Sequence, residues 1–97
     1  MAPENNPSPR AQVDLHRRSR EEAQRILTRE LHACRVRGLD RLLVITGRGY
    51  GNRRQEPVLR GHIEAWLRGP EARALGVEGF QRAHRGGALE VRLTARG

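Results

Sequence analysis

The chain has 97 residues, a formal net charge of +8 and a sequence pI near 11.6. Its one cysteine, Cys34, rules out an internal disulfide, and the absence of a Cys–His cluster argues against a thiolate zinc site. No apolar run reaches the ~18 residues of a membrane span, and the first residues lack the basic-then-apolar layout of a secretion signal. The expectation is a cytoplasmic, monomeric protein with no membrane partner.

All nineteen basic residues are Arg, which together with abundant Ala, Gly and Leu is most simply the mark of a GC-rich coding sequence. The positive excess still points to a polyanionic partner. Tyr50, Trp66 and Phe80 are too few aromatics for base-stacking platforms. A bound nucleic acid would therefore be gripped mainly by its backbone.

Residues 1–11 hold three of the five prolines and almost nothing apolar, so they read as a disordered leader. Residues 12–97 read as one domain. Gln12-Val13-Asp14-Leu15-His16 predicts a short strand, with Val13 and Leu15 on one face and Asp14 and His16 on the other. Ser19 with Glu22 forms a capping box, and Ala23, Ile26, Leu27, Leu31 and Cys34 recur at helical spacing. The spacing predicts a helix over about residues 20 to 37, closed by Gly38 in a left-handed cap with Leu39 folding back. Leu42-Leu43-Val44-Ile45 predicts an inner strand.

That strand runs into Thr46-Gly47-Arg48-Gly49-Tyr50-Gly51, a loop whose glycines permit angles other residues resist. Pro57 suits the first turn of a second helix, packed through Val58, Leu59, Ile63, Trp66 and Leu67 and closed by Gly69-Pro70. Residues 71 to 76 read as a helical turn. A hairpin should follow, with strands over Val77 to His84 and Leu89 to Leu93 and a turn at Arg85-Gly86-Gly87-Ala88. The order β-α-β-α-β-β predicts an α/β (α+β) two-layer sandwich. Its mixed four-stranded sheet would carry two helices on one face and leave the other partly open.

These pieces resemble the Smr (small MutS-related) domain family over about residues 12 to 94. The match rests on Val13-Asp14-Leu15-His16, Ile45-Thr46-Gly47-Arg48-Gly49, Pro57-Val58-Leu59-Arg60 with Trp66-Leu67, and His84-Arg85-Gly86-Gly87-Ala88 with Val91-Arg92-Leu93. The resemblance implies a fold like the C-terminal domain of the third bacterial translation initiation factor. It also implies nuclease activity: nicking of DNA, or endonucleolytic cleavage of RNA, including messenger RNA on stalled ribosomes. The family's aspartate-leucine-histidine motif carries over to Asp14, Leu15 and His16, and its glycine-basic-glycine loop to Gly47, Arg48 and Gly49. Arg17 stands where the family usually has glycine, either altering the loop or adding a phosphate contact.

The residue chemistry fits that class. The imidazole of His16 can move a proton, with Asp14 as its orienting partner. Parallel first and second strands would bring both to the glycine loop, at the carboxyl edge where α/β sheets bind ligands. The loop is neither a Walker motif nor a dinucleotide fingerprint, because no Gly-Lys-Ser/Thr follows and Asn52 stands where a glycine is needed. It reads as a phosphate nest of Thr46, Gly47, Arg48, Gly49, Tyr50 and Gly51, with Arg48 stabilising developing charge. Arg17, Arg53, Arg54, His84 and Arg85 are candidate backbone contacts. His32 and His62 read as surface or boundary residues, and Cys34 as a small core side chain.

RNA brings its own 2′-hydroxyl, so its cleavage needs no cofactor. DNA nicking would call for Mg²⁺ or Mn²⁺, with Asp14 the candidate ligand. Two rivals remain: a non-catalytic Arg-rich module for nucleic acid or the ribosome, and a domain that docks only on protein.

Overall fold

In the computed structural model, strand β1 (Ala11–Asp14) leads to helix α1 (Arg20–Arg37) and strand β2 (Arg41–Ile45). Helix α2 (Gln55–Leu67), the short helix α3 (Pro70–Ala74), and the hairpin strands β3 (Val77–Ala83) and β4 (Ala88–Leu93) follow. The structure describes residues 11–47 and 55–94, and of 55–57 only the backbone.

Local chemistry accounts for α1. Ser19 Oγ accepts from Glu22 N at 3.0 Å, and Glu22 Oε1 accepts from Ser19 N at 3.4 Å, satisfying two otherwise orphaned amides. At the far end Gly38 adopts φ +73, and Leu39 N donates to Cys34 O at 2.9 Å. That bond turns Leu39 inward, where it is buried.

The sheet order is β1-β2-β4-β3, with β1 parallel to β2 and the other pairings antiparallel. Alternation sorts the side chains. Val13, Leu42, Val44, Leu89, Val91 and Leu93 face the helices and join Leu27, Leu31, Leu59 and Ile63 in one core. Arg41, Leu43, Ile45, Ala88, Glu90 and Arg92 lie on the opposite face. On the core side, Glu64 of α2 is buried and accepts from Arg82 Nε at 2.7 Å and Nη2 at 3.1 Å, locking α2 to β3. Those bonds from Arg82 outweigh desolvation and hold the Glu64 carboxyl below its usual range.

Two boundaries differ from the sequence expectation. The first strand begins at Ala11, inside the segment read as leader, and ends at Asp14. Pairing still carries one residue further, because Leu15 N donates to Ile45 O at 2.7 Å. The hairpin turn starts at His84 rather than Arg85, and Ala88 already belongs to β4. The cause is backbone conformation: His84, Arg85 and Gly86 all have positive φ (52, 57 and 87), so the chain leaves the extended region one residue early.

Candidate functional site

Strand register assembles one end of the sheet face turned away from the helices. Asp14 pairs with Ile45, Ile45 with Ala88, and Ala88 with Ala83, so these four form a row across all four strands. His16 lies just past this row. Its Nδ1 is 2.5 Å from Asp14 Oδ1, and its backbone N donates to the same oxygen at 3.1 Å. Both side chains remain about half exposed (45% for His16, 51% for Asp14), so the pair is open to a ligand. Partial burial pushes the Asp14 carboxyl up. The bonds from His16, together with the nearby charges of His16 and Arg18, outweigh that and hold it below its usual range. Asp14 is therefore an anion at neutral pH.

Leu15, between them, is fully buried. Arg17, which follows, has φ +66. Arg18 N donates to Leu15 O at 3.1 Å, closing the turn. The backbone here has the shape a glycine favours, and an arginine adopts it at a cost of about 1–2 kcal/mol. Part of that returns because glycine would loosen the unfolded chain by about 0.4–1 kcal/mol. Arg17→Gly is therefore expected to raise stability by about 0.5–1 kcal/mol, read as a higher urea midpoint. A lower midpoint would mean that the Arg17 side chain contributes more than its backbone costs.

On the other side of the row stands the turn of residues 84–87. The Gly87 carbonyl accepts from both Thr46 N and Gly47 N at 3.0 Å, fastening the end of β2 to the turn. Arg60 of α2 donates from Nη1 to Gly86 O at 2.9 Å, fixing the turn from the helical layer. Arg60 and Gly87 were not singled out as site residues in the sequence. Both lie in the motifs noted above, but their joint role needs contacts 26 and 40 or more positions apart that no local pattern displays.

The predicted site residues fall into three groups. Asp14, His16 and Arg17 cluster at one side of the sheet end, and Gly47, His84 and Arg85 line an adjoining hollow. Thr46 is buried, and its amide, like that of Gly47, is already committed to Gly87. These two amides are therefore not open donors for a phosphate. Arg48, Gly49, Tyr50, Gly51, Arg53 and Arg54 lie outside the described residues. Among the described residues no group of three or more His, Cys, Asp or Glu could hold a metal ion. Asp14 with His16 supplies one carboxylate and one imidazole.

His32 and His62 line a groove between α1 and α2 on the helical face, where His62 Nε2 is 3.1 Å from Gln24 Oε1. Cys34 is buried in the core, and desolvation aided by Glu30 raises its thiol pKa, the opposite of an activated nucleophile.

This is a mixed-sheet α+β sandwich carrying an Asp–His pair and basic residues at one sheet end. A model of the Smr domain matches residues 13–94, and the chain belongs to that family. Smr domains bind nucleic acids. The crystal structure of the Smr domain of Thermus thermophilus MutS2 is 31% identical, with 86% of this chain and 96% of that chain covered at a TM-score of 0.68. YdaL, a stand-alone small MutS-related protein from Escherichia coli, has the same fold at 24% identity and a TM-score of 0.71. That match covers 86% of this chain and 63% of that chain. No curated protein matches the chain in sequence. No described helix is long and apolar enough to cross a membrane.

Proposed function

We propose that this protein is an endonuclease that cuts the backbone of RNA, with His16 moving the proton and Asp14 orienting it. The observation that carries the reading is the 2.5 Å approach of His16 Nδ1 to the Asp14 carboxylate at an open sheet end. With the Nδ1 proton held by an anionic carboxylate, Nε2 carries the free lone pair and serves as the base. Nε2 takes the proton of a ribose 2′-hydroxyl. The 2′-oxygen then forms a bond to the adjacent phosphorus, the bond to the 5′-oxygen breaks, that oxygen takes a proton from water, and His16 returns its own proton to solvent. The products are a 2′,3′-cyclic phosphate and a 5′-hydroxyl. Arg17, Arg48 and Arg85 are the proposed partners of the phosphate charge, and Arg53, Arg54 and His84 extend the backbone contact.

This chemistry asks nothing of the protein but a base, a carboxylate and cations. Nicking of DNA is the second activity open to such a site. It needs an activated water, for which Asp14 and His16 would hold Mg²⁺ or Mn²⁺ together with the substrate phosphate.

The test is incubation with labelled single-stranded RNA, duplex DNA and supercoiled plasmid, with and without chelator. RNA should be cut in the presence of EDTA. A protein that binds all three in a salt-sensitive way and cuts none is instead an Arg-rich binding module.

A further inference from the structure

The hollow beside Asp14 is built for more than a phosphate. It is an open depression of about 810 Å³, lined by Gln12, Leu43, Ile45, Gly47, Gly87 and Ala88, with His84 and Arg85 at its wall. Its floor is apolar: Leu43 and Ile45 are half-buried, unlike the fully buried Leu42 and Val44 that alternate with them. Ala88, paired with Ile45, is buried, so the accessible floor is made by Leu43 and Ile45. A phosphate gains nothing from such a surface, whereas the flat face of a nucleobase does.

The surroundings complete a nucleotide. By register Asp14 sits beside Ile45, so the Asp14–His16 pair stands at one edge of the floor. His84 and Arg85 stand at another, while Glu90, the sheet partner of Leu43, accepts from Arg41 Nη1 at 3.4 Å. Gln12 pairs with Leu43 in the sheet and is exposed, so its amide lies at the rim as both donor and acceptor.

We infer that this hollow holds one unpaired RNA nucleotide, its base lying on Leu43 and Ile45 and its edge read by Gln12, next to the phosphate served by His16. The inference rests on the proposed RNA cleavage and adds two things to it. The substrate must present an unstacked base, so single strands are favoured over duplex. The choice among the four bases resides on β1, apart from the proton-transfer residues.

The test uses the intact protein, methyl-labelled at Leu and Ile, and four dinucleotides that differ in base and carry a 2′-deoxy first sugar so that they cannot be cut. A base stacked on the floor should shift the Leu43 and Ile45 methyl protons upfield by its ring current, and a stable hairpin stem carrying the same dinucleotide step should not. Gln12→Ala should compress the affinity differences among the four dinucleotides by about five- to tenfold, the worth of one hydrogen bond, without changing the melting temperature. Dinucleotide binding detected by calorimetry that leaves both methyls unshifted would overturn the base site. So would no binding at all. Either result would leave the cleavage assay free to decide the nuclease reading separately.

Discussion

His16→Ala is expected to slow cleavage of single-stranded RNA by about 10²- to 10⁴-fold, the usual worth of a positioned acid or base. RNA affinity and melting temperature should hold. The side chain is about half exposed and touches Asp14 rather than the core, so its removal leaves neither a cavity nor a buried polar group unpaired. Single-turnover rates at saturating RNA separate the chemical step from binding. Asp14→Asn should fall between wild type and His16→Ala, because the amide keeps the shape but loses the charge that holds the Nδ1 proton. The sign of the acid limb follows. The Asp14 carboxyl is depressed, so its bond to His16 is complete above the ordinary carboxylate range and is lost only as pH falls through the lowered value. The wild-type rate should therefore not lose its orienting anion until well into acid. An equal rate for His16→Ala and wild type would remove His16 from the chemistry.

The second large effect lies at the residue between them. Leu15→Ala should cost about 2–5 kcal/mol of stability. Leu15 is fully buried in the core, and its amide bonds to Ile45 O at 2.7 Å, so it pins the end of β1 to both layers. For a domain of this size each kcal/mol lowers the melting temperature by about 4–8 °C, so a drop of about 10 °C or more is expected. The motif thus divides its labour: the middle residue holds the strand end down, which is what lets its neighbours project from the opposite side. Thermal unfolding checks this directly. A drop of only a few degrees would mean that the strand end is held elsewhere.

Much of this was legible in the sequence because the governing interactions are local. Helix α1 announces itself through Ser19, Glu22, its apolar stripe and Gly38, all within the helix or one residue of it. The exposure of Asp14 and His16 followed from two-residue alternation about Val13 and Leu15. The hairpin turn was misplaced by one residue because Gly86 and Gly87 are the obvious turn formers. The structure instead puts His84 and Arg85 at positive φ, against their ordinary preference. What holds them there is distant in sequence: Arg60 on Gly86 O, and the Thr46 and Gly47 amides on Gly87 O. The same contacts change the meaning of Thr46 and Gly47. Their residue types suggested phosphate donors, whereas their amides join β2 to the turn. The hollow's apolar floor was equally hidden, because Leu43 and Ile45 sit in a continuous apolar run that reads as wholly buried.

The most direct measurement is the chemistry of the ends left when the wild-type protein cuts labelled single-stranded RNA in EDTA. Attack by the ribose through His16 predicts a 2′,3′-cyclic phosphate on one fragment and a 5′-hydroxyl on the other. A 5′-phosphate, formed only when divalent metal is restored, would contradict the account and make water the nucleophile.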